Sequence, residues 1–92
     1  MKPIRLSGQA RIRALQRGAT EEEIVECVRE SVRMPASAGR FSIRETFAFD
    51  AISPMNKEYY RFKTIEPIFV EAADEIVLVA VKVYFSNEES GL

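Results

Sequence analysis

The 92-residue chain contains no histidine and no tryptophan, and only one cysteine, four glycines and four prolines. Without histidine the commonest general base is missing, and with it the Ser-His and Cys-His nucleophile pairs and most zinc sites. The lone cysteine, Cys27, forms no internal bridge, which excludes a disulfide scaffold and makes a reducing cytoplasm the expected compartment. Gly8, Gly18, Gly39 and Gly91 never come within the spacing of a phosphate loop or a dinucleotide motif. Long apolar runs are also missing. The longest, Ile76 to Val81, falls far short of the roughly 18 residues of a membrane helix, so no membrane association is expected. The basic start, Met1-Lys2-Pro3-Ile4-Arg5-Leu6, reaches Gly8 before any stretch of signal-peptide length, so no export signal is expected. Carboxylates are scattered rather than convergent, and neither a metal nor a cofactor is expected.

What remains has ordinary globular proportions: 47% hydrophobic and 29% charged residues, with 13 Lys+Arg against 14 Asp+Glu for a net charge of −1. That sum excludes a surface built wholly to wrap nucleic acid. The distribution is uneven, however. Residues 1–19 hold Lys2, Arg5, Arg11, Arg13 and Arg17 without an acid, whereas residues 66–92 hold six acids and only Lys82 as a base. Such halves either pair across the fold or meet a partner.

Ser7 and Gly18 bracket a helix over residues 8–17 as N-cap and left-handed C-terminal stop. Thr20 and Glu23 form a capping box for a second helix over residues 20–33, with Glu21, Glu22 and Glu23 at its positive end and Ile24, Cys27, Val28 and Val32 as its apolar stripe. Cys27 is therefore expected to be buried and reduced. Pro35 to Gly39 reads as a loop.

Beyond Gly39 the apolar period changes to two, predicting strands over residues 40–49, 59–72 and 75–85, the second interrupted at Glu66-Pro67. Glu45 stands at an inward position, which requires a bulge or a buried carboxylate. In the last strand Val77, Val79, Val81, Val83 and Phe85 fall on one face and Ile76, Leu78 and Ala80 on the other, so a neighbour is needed on each side. Pro3 to Leu6 is the spare extended piece. The fold class is α+β: two N-terminal helices packed on one face of a three- to four-stranded antiparallel sheet, ordered 40s, 60s, 80s, N-terminus. Residues 1–86 form a single domain and residues 87–92 a frayed polar tail.

Two groups are candidate binding residues, and no residue is assigned a catalytic role. Gln9, Arg13 and Arg17 form a ridge on the first helix, where adjacent like charges call for an answering acid: Glu22, Glu26 or Glu71 within the fold, or an anionic partner. With the strands phased as above, Arg44, Tyr59, Arg61, Lys63, Lys82 and Tyr84 share the sheet face away from the core. Arg and Lys interleaved with Tyr can hold phosphates and stack on bases, though a solvated sheet face has the same composition.

The run Gln9-Ala10-x-x-Arg13-x-x-x-Arg17-Gly18-x-Thr20-x-Glu22-Glu23-Ile24 resembles the opening of the small bacterial domain-of-unknown-function family 4258, whose signature is His-Ala-x-x-Arg-x-x-x-Arg-Gly-Ile. Ile65-Glu66-Pro67-Ile68-Phe69-Val70-Glu71, followed by Asp74-Glu75-Ile76-Val77-Leu78-Val79-Ala80-Val81, is similar to that family's closing hairpin. Gln9 stands where the family has His. More distantly the group looks like the RelE-like and BrnT-like ribonuclease toxins of bacterial toxin–antitoxin pairs. The resemblance implies a domain without an assigned activity; the missing histidine and the near-neutral charge favour binding of a protein partner or of its own copy, with a ribonuclease toxin or a degenerate RNA-binding relative as the alternative.

Overall fold

The computed structural model describes residues 2–30, 34–35 and 39–88. The expected end of the second helix at 31–33, the expected loop residues 36–38 and the expected tail from 89 lie outside the described residues.

The caps read from the sequence are in place. Helix α1 (Gly8–Arg17) starts where Ser7 accepts the Ala10 N–H, and it stops at Gly18, whose φ of 98° turns its own N–H back to the carbonyls of Ala14 and Leu15. A side chain at Gly18 would be strained twice, by that positive φ and by the Phe85 ring 3.0 Å from where a Cβ would stand. Helix α2 (Glu21–Glu30) opens on the reciprocal box: Thr20 N–H donates to Glu23 Oε1 at 2.9 Å and Glu23 N–H donates to Thr20 Oγ1 at 3.2 Å. Neither helix is long enough to cross a membrane.

The sheet contains β1 (Ile4–Arg5), β2 (Met34–Pro35), β3 (Phe41–Ser42), β4 (Glu45–Ile52), β5 (Tyr59–Glu71) and β6 (Ile76–Ser86). Its order is β1-β6-β5-β3-β2, with β4 beside β5 in line with β3. The predicted strand order therefore holds, but two expectations change. The sheet is mixed, because β1 runs parallel to β6. Hairpins force neighbours to be antiparallel, whereas β1 reaches its place without one and no local constraint sets its direction. In addition, Met34, at the expected end of the second helix, and Pro35, at the start of the expected loop, pair with Ser42 and Phe41 as an edge strand.

Strand β5 is continuous through Glu66-Pro67, and the geometry explains how. Ile43 N–H donates to the Pro67 carbonyl, so the backbone polar groups of Pro67 point toward β3 and away from β6. The missing N–H thus leaves the β6 ladder untouched and breaks the other column at Ile43, between β3 and β4.

Two bulges set the facing of side chains. One lies between Ala48 and Ala51 of β4, where Asp50 takes a φ of 46°. The other leaves Val79 unpaired, since Ala80 opposes Ile68 and Leu78 opposes Phe69. Val81, Val83 and Phe85 lie on one face, and the bulge carries Leu78 and Ile76 onto that same face rather than the opposite one. The core forms where α1 meets β6 and α2 meets β5, around Ala14, Ile24, Cys27, Val28, Ile65 and Phe69. Cys27 is free and buried, its thiol 3.9 Å from the Ile65 carbonyl. Burial, and then the nearby charges of Glu45, Glu26 and Glu23, push it up to about 12, which leaves it unreactive at neutral pH.

Glu45 is not at a bulge. It opposes Ile65 on the core side, half-buried beneath α2, with Oε2 sequestered from solvent and without a hydrogen-bond partner. Burial raises its carboxyl above the ordinary carboxylate range, the charges of Glu26 and Glu30 add to the rise, and the Cys27 thiol opposes it. A folded-state value above the unfolded one means that stability is greatest at low pH and falls as the carboxyl ionises. Glu45→Gln should therefore raise the melting temperature at pH 7.5. The gain should shrink as the pH falls into the carboxylate range, and melting of both proteins across that range checks it. An unchanged or lower melting temperature for the variant at pH 7.5 would refute this account.

Candidate interaction surface

The basic and acidic ends of the chain answer each other in part. Lys2 pairs with Glu71 at 3.0 Å and Arg5 with Glu75 at 2.9 Å, on either side of the β1–β6 junction, and Arg11 pairs with Glu21 at 3.2 Å. The first two contacts bind the N-terminal strand to the hairpin, and the third ties α1 to α2.

The register divides the expected Arg-Tyr-Lys face between the two sides of the sheet. Arg44, Tyr84 and Lys82 do lie on the side away from the helices, but so does Glu66, which opposes Lys82. Glu66 accepts from Arg44 Nε at 3.1 Å and from the Tyr84 hydroxyl at 3.3 Å, while the Arg44 guanidinium lies 5.4 Å from the Tyr84 ring centre. Both side chains are thereby satisfied around one carboxylate. A concavity of about 410 Å³ next to them is lined by Met34, Ser42, Ile43, Arg44 and Glu66 and offers no uncompensated charge.

Lys63 is on the opposite side. It is 6% exposed and donates to the Gly18 carbonyl at 2.7 Å and to Glu23 Oε1 at 2.8 Å, with the Phe49 ring centre 5.0 Å away. Its odd-numbered face continues into Ile65 and Phe69 beneath the helices, which is why the phasing that grouped it with Arg44 fails. Burial alone would raise Glu23, but the Lys63 hydrogen bond and charge together with the Thr20 N–H hold it below the ordinary range. Arg61 and Tyr59 have the same parity but are exposed toward the β4–β5 loop. The Arg61 guanidinium lies 5.3 Å from the Phe62 ring centre, and Tyr59 donates to Asp50 at 2.8 Å.

The ridge on α1 keeps its charge. Gln9 and Arg13 are exposed, and the acids expected to answer them do not: Glu71 is held by Lys2, and among the described residues neither Arg13 nor Lys82 has a carboxylate within ion-pair distance. Arg17 instead donates through Nη1 to the Val81 carbonyl at 2.6 Å. That contact marks the feature that the sequence did not show. Strand β1 covers β6 only at Ile76 and Val77, so among the described residues the side of β6 away from β5 carries no strand from Leu78 to Ser86.

Two concavities follow this open edge. One, of about 110 Å³, lies where Arg13 and Arg17 face Val79, Ala80 and Val81; the next, of about 260 Å³, is formed by Arg17, Met55, Lys82, Val83 and Tyr84. Arg17 is common to both. The exposed apolar side chains Val79 and Met55 border them, at 39% and 58% exposure. The arrangement can accept hydrogen-bonding main chain and negative charge together. It brings no nucleophile and base into contact, and among the described residues no three metal-ligating side chains converge. No family model, no curated protein and no solved structure matches the chain.

Proposed function

We propose that the protein acts by binding, and that its partner is a protein engaged along the open edge of β6. The supporting observation is the conjunction at that edge of an uncovered strand with three cations, Arg13, Arg17 and Lys82, that no carboxylate of the described residues answers. Uncovered strand edges are usually protected or used, since they pair readily with other chains. The resemblance at Gln9 to Ile24 fits this reading: the ridge of that motif, Arg13 and Arg17, forms one wall of the groove, and Gln9 removes the one position where the resembled family carries an acid–base group.

A ribonuclease toxin is the second reading, favoured by the stacking of Arg44 on Tyr84 beside Lys82. Against it, Glu66 neutralises Arg44, and Lys63 points into the core. Expression of the chain in bacteria should leave growth unchanged, and incubation of the purified protein with total RNA should leave the RNA intact. Growth arrest relieved by Arg61→Ala or Tyr84→Ala would decide for the toxin.

A further inference from the structure

The chemistry of the partner can be read from the β6 edge, an inference that rests on the docking reading above. The direction of the backbone groups follows from two contacts. Pro67 opposes Val81, and the Pro67 carbonyl is taken by Ile43, so the pair exchanges no hydrogen bonds. Arg17 reaches the Val81 carbonyl from the other side. Alternation along an antiparallel strand then turns the N–H and C=O of Val81, Val83 and Phe85 outward.

An edge that alternates donors and acceptors is matched by another peptide strand. The phosphodiester groups of a nucleic acid backbone present only acceptors to such an edge and would set phosphates against the outward carbonyls. The side chains add a charge requirement. Arg13 and Arg17 stand on the helix side of the edge, whereas Lys82 alternates with Val81 and Val83 and so stands on the other. A second copy pairing edge to edge would meet this requirement badly, because the only charged residue of its own Ile76–Ser86 strand is Lys82.

We propose that the β6 edge binds an extended acidic peptide segment as an added strand, with carboxylates on both of its faces, one set meeting Arg13 and Arg17 and the other meeting Lys82. Arg17 holds the place of the incoming strand. In the free protein its guanidinium occupies the position of a strand N–H on the Val81 carbonyl. On docking, the peptide N–H takes that carbonyl and Arg17 turns to a peptide carboxylate. Val79 and Met55 supply apolar contact toward the two ends of the groove.

The test is fluorescence anisotropy with a labelled peptide of repeated Glu-Glu-Val-Val that spans the edge, at low salt, a repeat that sets carboxylates on both faces of the strand. Saturable binding is expected, weakened about tenfold or more by Arg13→Glu and by Lys82→Glu. It should be abolished when every peptide nitrogen is methylated, which removes the donors from both edges of the peptide. Arg13 and Lys82 are exposed, and unchanged melting of the two variants establishes that they fold. No binding of the peptide, or equal binding of its methylated form, overturns the strand-addition proposal. Tighter binding of a single-stranded RNA, lost in Arg13→Glu, overturns the acidic occupant and leaves the edge as the docking site. Self-association of the free protein, lost in Val83→Pro, does the same. Peptide binding indifferent to both charge reversals overturns the proposal and the edge reading together.

Discussion

Lys63→Ala is expected to destabilise the protein by about 3–5 kcal/mol, the penalty for removing one partner of a buried ion pair and stranding the other. The Lys63 and Glu23 side chains are only 7% and 21% exposed. The ammonium also holds the carbonyl of Gly18, the residue that ends α1, so its loss unpins the end of one helix and the start of the next at once. For a domain this small, about 3 kcal/mol lowers the melting temperature by roughly 12–24 °C. Lys63→Met should do little better, because it keeps the hydrocarbon stem but leaves Glu23 charged and unanswered. Combining Lys63→Met with Glu23→Gln should recover part of the loss, and a double-mutant cycle measured by thermal melting isolates the coupling. A drop of only a degree or two for Lys63→Ala would show that the ammonium reaches water.

Phe69→Ala is expected to cost a similar amount, about 3–5 kcal/mol, for a different reason. Phe69 is fully buried at the centre of β5, with its ring centre 5.9 Å from that of Phe41. Truncation leaves a cavity between Phe41 and α2 that the sheet cannot collapse to fill, since Phe41 and Leu78, which oppose Phe69 from either side, are fixed by their own ladders. Phe69→Leu should lose much less, because it keeps most of the volume. Urea unfolding with an unchanged m-value and a lower midpoint checks the effect; equal losses for the Ala and Leu variants would argue against a cavity.

The parts legible in the sequence were those specified by short-range chemistry. Ser7, Gly18 and the Thr20–Glu23 box mark helix ends because each acts within four residues of itself, and Cys27 is placed by the helical stripe that it shares with Ile24 and Val28. The strand order was legible because β6 carries apolar residues on both faces and so reads as a central strand that needs a neighbour on each side. What was not legible depended on register. Residues 76–81 are all apolar, so no polar residue reports that Val79 drops out of the alternation, and Leu78 and Ile76 were placed on the wrong face. Lys63 follows Arg61 at strand spacing and reads as the next exposed cation; only the position of α2 above it shows otherwise. The groove was half visible. The Gln9, Arg13, Arg17 ridge follows from helical spacing, but its facing Val79–Tyr84 depends on β1 being too short to cover β6.

The bulge at Val79 also determines how β6 can lose a residue. In a regular strand, a deletion reverses the facing of every side chain on one side of the lesion, and in most of β6 that would turn either Val81, Val83 and Phe85 or Ile76 and Leu78 out of the core. At Val79 the rule inverts. Ala80 already opposes Ile68 and Leu78 already opposes Phe69, so removing the residue between them restores an unbroken ladder with every remaining side chain on its present face. Val79 is thus a dispensable spacer for the core, and a shorter β6 could keep the same interior. The residue that the core can spare lies beside Arg13 and Arg17 in the smaller concavity, so deleting it would alter the groove while leaving the packing intact.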